Sequence, residues 1–222
     1  MSQVREEVIE CPHCHKEGEY SYWSSVNVDL DPELREKIFN EDLFMYKCPH
    51  CGQETGIPAG TLYHDMTHHF MIFFEFFKPD DYDYEPIEIP TGELGMHKDY
   101  VMRAVYGLYR FKEKIIILEE GLNDVAIERM KYMVRHIVMP EIAEKGFDLY
   151  FSHTTKPDEE NEHGRIIFFY KDDEDKTQYV GVTMGKYYEH CLACEIDPRM
   201  AVKSCQCVDE EWMSRQLKKE GV

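Results

Sequence analysis

Cys11-Pro12-His13-Cys14 and Cys48-Pro49-His50-Cys51 are the two stretches on which the reading of this chain turns. A C-x2-C turn presents two sulfurs on one side of an ion, and two such turns complete the tetrahedron of a structural zinc site. Pro12 and Pro49 follow the first cysteine of each pair, where a fixed φ stiffens the turn and a missing N–H costs little. Gly52 stands after the second knuckle, where a positive φ is expected, and His15 holds the matching place after the first. Buried free cysteines explain neither the repeated spacing nor the repeated proline, and a redox C-x-x-C belongs at a helix start inside a βαβ unit. The expected metal ligands are therefore Cys11, Cys14, Cys48 and Cys51, with zinc as the cofactor. Four protein thiolates leave no open position for water or substrate, which is the arrangement of a structural ion. His13 and His50 are expected to point outward, and Lys16 and Lys47 to offset part of the negative charge of four thiolates around a divalent ion.

Outward from the knuckles, Tyr20 to Val28 is rich in aromatic and β-branched residues and predicts a strand. Asp31-Pro32-Glu33 predicts a helix start with Asp31 as the capping carboxylate, and Leu34 and Ile38 share one face of that helix. Leu43 to Lys47 predicts a strand leading into the second knuckle. The apolar run from His69 to Phe77 predicts a buried strand, and Tyr100 to Tyr106 another. Arg110 to Leu118 fits either a short helix or a strand. Asn123 or Asp124 caps a helix in which Ile127, Met130, Val134, Ile137 and Val138 recur at helical spacing as far as Pro140. Leu149 to Thr154, Arg165 to Lys171 and Gln178 to Thr183 predict strands, the last two joined by the acidic turn Asp172–Asp175, and Asp209 to Lys219 predicts a final helix with Trp212 on its buried face.

The fold class expected is α+β, with a zinc-ribbon-like β-rich module over residues 1–78, an acidic linker over 79–95 rich in Asp, Glu and Pro, and an α+β half over 96–222. The chain has 222 residues, of which 43% are hydrophobic and 13% aromatic, enough for a packed core. Against 25 Lys and Arg stand 44 Asp and Glu, a formal charge of −19. Such a field repels phosphate backbones and disfavours nucleic acid as a partner. MSQVREEVIE lacks the apolar core of a secretory signal, and no apolar run approaches the roughly 20 residues of a spanning helix. Eight cysteines spaced for metal suit a reducing cytoplasm.

Together the two Cys-Pro-Xaa-Cys knuckles, the segment Ser24-Ser25-Val26-Asn27-Val28-Asp29-Leu30-Asp31-Pro32-Glu33-Leu34, Tyr63-His64-Asp65 and Gly121-Leu122-Asn123-Asp124 resemble the CpXC family, from about residue 9 through the helix ending near Pro140. The resemblance implies a bacterial or archaeal zinc-binding protein without an assigned reaction. It carries over Cys11, Cys14, Cys48 and Cys51 and no catalytic residue.

Two further clusters have the residue types for chemistry. Cys191-x2-Cys194 and Cys205-x-Cys207 fit a second four-thiolate site, against which stands the unusual C-x-C half; a single zinc per chain is the expectation. His64, Asp65, His68 and His69 suit acid–base or open-site metal chemistry, or else simply polar residues at a strand entry with Asp65 bonding a turn. No phosphate-cradling or nucleophile-elbow motif occurs. The expected role is a zinc-stabilised cytoplasmic interaction or regulatory module that meets a protein partner. A hydrolase or second-metal enzyme built on His64 and Asp65 is the first alternative, and a nucleic-acid-binding zinc ribbon the second.

Overall fold

The computed structural model describes residues 1–87, 100–158, 162–203 and 205–218. The fold is α+β, in two compact units: Met1–Asp83 with Ile87–Lys112, and Tyr84–Pro86 with Glu113–Val222. The expected linker over 79–95 lies partly outside the described residues; the chain passes between the units around Tyr84–Pro86, within that stretch, and again at Lys112/Glu113, inside a helix.

The first unit is built on a mixed sheet in the order β1-β2-β5-β6-β7, formed by Gln3–Glu10, Glu17–Asn27, Thr61–Asp65, Phe70–Glu75 and Val101–Tyr106. Between β2 and β5 the chain forms α1 (Glu33–Phe39), a 3-10 turn (Asp42–Phe44) and a small hairpin of β3 (Met45–Lys47) with β4 (Glu54–Gly56). β6 lies inside the sheet, antiparallel to β5 and parallel to β7, and its Phe70, Met71, Ile72 and Phe74 are buried. Burial on both faces is why this strand reads as an unbroken apolar run rather than an alternation. Phe111, at the start of α2 (Leu108–Glu119), stacks on Phe74 with centroids 4.3 Å apart, and Tyr63 stacks on Phe70 at 5.8 Å. Leu34 and Ile38 of α1 are fully buried, as their spacing requires. The α1 cap differs from expectation: Pro32 is the N-cap residue and no side chain caps the helix, Asp31 contributing only its carbonyl to the Leu34 N–H.

In the second unit, β8 (Tyr150–Thr154), β9 (Arg165–Lys171) and β10 (Thr177–Thr183) form an antiparallel sheet in the order β10-β9-β8. The helices are α3 (Asp124–Met133), α4 (Pro140–Glu144), α5 (Met184–Ile196) and α6 (Glu210–Lys218). Asn123 caps α3, its side chain accepting from the N–H groups of Val125 and Ala126 at 3.0 and 3.2 Å. Ile127, Met130 and Val134 are buried as expected, but Ile137 and Val138 are exposed. Residues Val134–Val138 form a π-helical turn, whose wider winding carries the last two off the core-facing stripe. Trp212 of α6 is buried and Asp209, just before the helix, accepts its N–H at 2.9 Å, as the sequence indicates.

Between α2 and α3 lies a group of charges withdrawn from water. Lys131 Nζ donates to both oxygens of Glu113 at 2.9 and 3.0 Å and to Glu128 at 3.1 Å. Lys114 Nζ donates to Asp124 at 2.9 Å and to the Val208 carbonyl at 3.1 Å. All five side chains are buried, and Glu113 also accepts the Phe151 N–H at 2.6 Å. Burial of this kind is tolerated only where each charge has close opposite partners.

Candidate metal centre

Each knuckle sits in the turn of a hairpin, the first between β1 and β2 and the second between β3 and β4. The two turns repeat the same backbone bonds. The Cys11 N–H donates to Lys16 O at 3.0 Å and the His15 N–H to Cys11 O at 2.9 Å; the Cys48 N–H donates to Gln53 O and the Gly52 N–H to Cys48 O, both at 2.9 Å. His15 and Gly52 have φ of 57° and 72°, so the left-handed position after each knuckle is real, and histidine accepts it in the first. The pairing of turn and hairpin follows from sequence: strand residues on either side of a tight, proline-stiffened turn.

The hairpins bring the ligand atoms of Cys11, Cys14, Cys48 and Cys51 within 4.8 Å of one another. Cys11 Sγ stands 3.8 Å from Cys51 Sγ, and Cys14 Sγ 3.7 Å from Cys48 Sγ. Sulfurs about 2.3 Å from a shared centre are about 3.8 Å apart along a tetrahedral edge, so the donor set fits a four-thiolate metal ion. Cys11 and Cys48 are buried, Cys14 is half-buried and Cys51 is exposed, so the site lies at the rim of the unit. The thiols share their protons unequally. Burial raises the Cys48 thiol, but the N–H groups of Cys51 and His50 and the neighbouring thiols outweigh it and bring its pKa down to about 6. At Cys51 the Gln53 N–H acts downward, yet burial and the other three thiols push it up to about 12. Metal binding requires the ligating thiols to give up their protons.

His50 Nε2 bonds to Glu17 O at 2.8 Å, so this histidine is turned away from the sulfurs as expected. Lys47 pairs instead with Glu54 at 3.1 Å, both side chains exposed. Beneath the sulfurs, Tyr20 and Tyr46 pack with Cys11 and Cys48 into a small core, the two rings meeting edge-on at 5.9 Å. Sequence reasoning passed over both tyrosines. Tyr46 stands two residues before Cys48, and the period of a strand puts such residues on one face, which is the signal that points to it.

The His64 region is organised differently. Asp65 Oδ1 accepts the His68 N–H and its Oδ2 pairs with His68 Nδ1, each at 2.7 Å. Asp29 Oδ2 accepts the Met66 N–H at 2.6 Å and its Oδ1 the Thr67 hydroxyl at 2.5 Å. The Thr67 hydroxyl and the Met66 and Thr67 N–H groups hold the Asp29 carboxyl below its ordinary range, against the effect of burial. Both carboxylates thus tie down the turn after β5. His64 lies between Asn27, at 3.4 Å from Nδ1, and the Tyr100 hydroxyl, at 3.2 Å from Nε2, and burial lowers its pKa. Among the described residues no further group of three or more Cys, His, Asp or Glu side chains gathers its ligand atoms as the four cysteines do. Cys191 and Cys194 lie on α5, Cys194 raised to about 11 by burial. Cys205 and Cys207 are buried before α6, and the Cys207 thiol donates to Asp209 at 3.4 Å.

Neither a curated protein nor a solved structure matches the chain. The family model described as CpXC protein matches residues 9–131, a span that contains both knuckles and ends within α3. With more than half of its length matched and the four cysteines of the motif drawn into one cluster, the chain belongs to the CpXC family.

Proposed function

We propose that the protein is a zinc-stabilised interaction or regulatory module of the cytoplasm, whose ion holds the first unit together and whose acidic surface meets a protein partner. The spacing of the four sulfurs, matching a tetrahedral edge, carries the zinc reading. A shell closed by four thiolates favours a structural over a catalytic ion, and a reducing compartment suits eight cysteines spaced for metal rather than for a disulfide framework. The charge of −19 favours a protein over a nucleic acid as the partner. Among the described residues no helix is long and apolar enough to cross a membrane. Bound zinc would supply the counter-charge that keeps four thiols deprotonated and close two hairpins on each other.

Elemental analysis of protein purified without chelator should give one zinc per chain. Cys48→Ser should lose it together with much of the stability of the first unit, whereas a Cys205→Ser, Cys207→Ser double variant should keep it. Full metal content and an unchanged melting temperature in Cys48→Ser would refute the zinc reading, and two zincs in the wild type would assign a second site to the C-terminal cysteines.

A further inference from the structure

Tyr46 is almost completely buried on β3, packed in one cluster with Cys11 and Cys48, and its hydroxyl, sealed from solvent, has no partner within hydrogen-bonding geometry. Room for that hydroxyl depends on Gly18 of β2, where a Cβ would stand 2.2 Å from the oxygen and 3.1 Å from Pro49 Cδ. A buried hydroxyl without an acceptor is costly, and phenylalanine would fill the same space without that cost. A metal-bound cysteine sulfur is a thiolate, which accepts a hydrogen bond strongly where a neutral thiol accepts weakly. Cys48 Sγ accepts the His50 N–H at a long 3.4 Å and lies 3.7 Å from Cys14 Sγ. Four thiolates around one divalent ion carry two surplus negative charges, and Lys47, next to the second knuckle, is engaged with Glu54.

We propose that Tyr46 is the outer hydrogen-bond donor of the metal centre: its O–H turns to the Cys48 sulfur once that sulfur is a metal-bound thiolate, disperses part of the surplus charge and strengthens metal retention. This rests on reading the four cysteines as a metal site. Tyr20 supplies an internal control. Its hydroxyl is also buried without a partner in the same cluster, but its ring stacks on Tyr22 with centroids 5.9 Å apart, and no knuckle cysteine stands within two residues of it on its strand.

The test uses the full chain as wild type, Tyr46→Phe and Tyr20→Phe. Zinc affinity is measured by competition with a chromophoric chelator, and the sulfur-to-metal charge-transfer band is recorded at Co²⁺ saturation. Tyr46→Phe should bind about tenfold more weakly, as loss of an outer-shell partner does, and shift the band to lower energy. Tyr20→Phe should stay within about twofold of wild type, with the band in place. Because the band is read at saturation, a variant that merely folds less well leaves it unmoved. Wild-type affinity and spectrum in Tyr46→Phe would overturn the proposal, as would an equal loss in both variants. Failure of the wild type to take up either ion would instead refute the metal site on which it depends.

Discussion

Lys131→Met tests whether the buried charges of the second unit act as a set. The substitution keeps the length and apolar stem of the side chain and deletes an ammonium that donates three hydrogen bonds, two to Glu113 and one to Glu128. Removing one partner of a buried ion pair costs about 3–5 kcal/mol, because the charges left behind have no water to turn to. At about 2–4 °C per kcal/mol for a chain of this size, the melting temperature should fall by about 10 °C. Trp212, buried in this unit, reports its unfolding, and a Trp23→Phe background makes it the sole tryptophan. Urea titration followed by fluorescence should show a lower midpoint with an unchanged slope. The deficit should shrink on acidification, since protonation neutralises a carboxylate left without its cation. Lys145→Met is the reference: Lys145 lies 2.7 Å from Asp173 with both side chains more than half exposed, and its loss should leave the midpoint nearly unmoved. A loss below about 1 kcal/mol in Lys131→Met, or one that does not change with pH, would refute the reasoning.

Two further outcomes follow from charge. Burial, helped by Arg129, lowers the His190 pKa to about 4, below the ordinary value of 6.5; a group depressed in the folded state favours folding above its unfolded pKa, so the second unit should lose stability as pH falls from about 6.5 towards 4. His190→Gln should flatten that slope, and an imidazole titrating near 6.5 by NMR would refute it. Random-sequence DNA or RNA should bind no tighter than micromolar at physiological salt, because 44 acidic against 25 basic side chains oppose counterion release; submicromolar binding would overturn this.

Elements with a buried face were legible in the sequence. Phe70–Glu75 declares itself by aromatic weight, α1 by Leu34 and Ile38, and the four cysteines by their spacing alone. β1 escaped because Gln3–Glu10 is exposed almost throughout, so no alternation marks it as a strand. α5 was equally hard to read, since Tyr188, Leu192 and Ile196, four residues apart, face away from the core rather than into it. The ionic group of Glu113, Lys114, Asp124, Glu128 and Lys131 reads as ordinary solvated charge, because partners on two helices become visible only when the helices meet. Tyr46 is hidden for a related reason: strand period places it beside Cys48, but whether its hydroxyl finds an acceptor is a matter of three dimensions.

The way the chain is shared between its units sets an order on synthesis. Tyr84–Pro86 belongs to the second unit although residues on both sides belong to the first. The Tyr84 hydroxyl donates to Asp209 at 3.0 Å and to Glu211 at 2.9 Å, partners 125 and 127 residues further along. Tyr84 therefore leaves the ribosome with the first unit and waits for 125 further residues before the first of these acceptors exists. A fragment beginning at Glu113 lacks a residue of its own core, so no single cut in the chain yields both units whole.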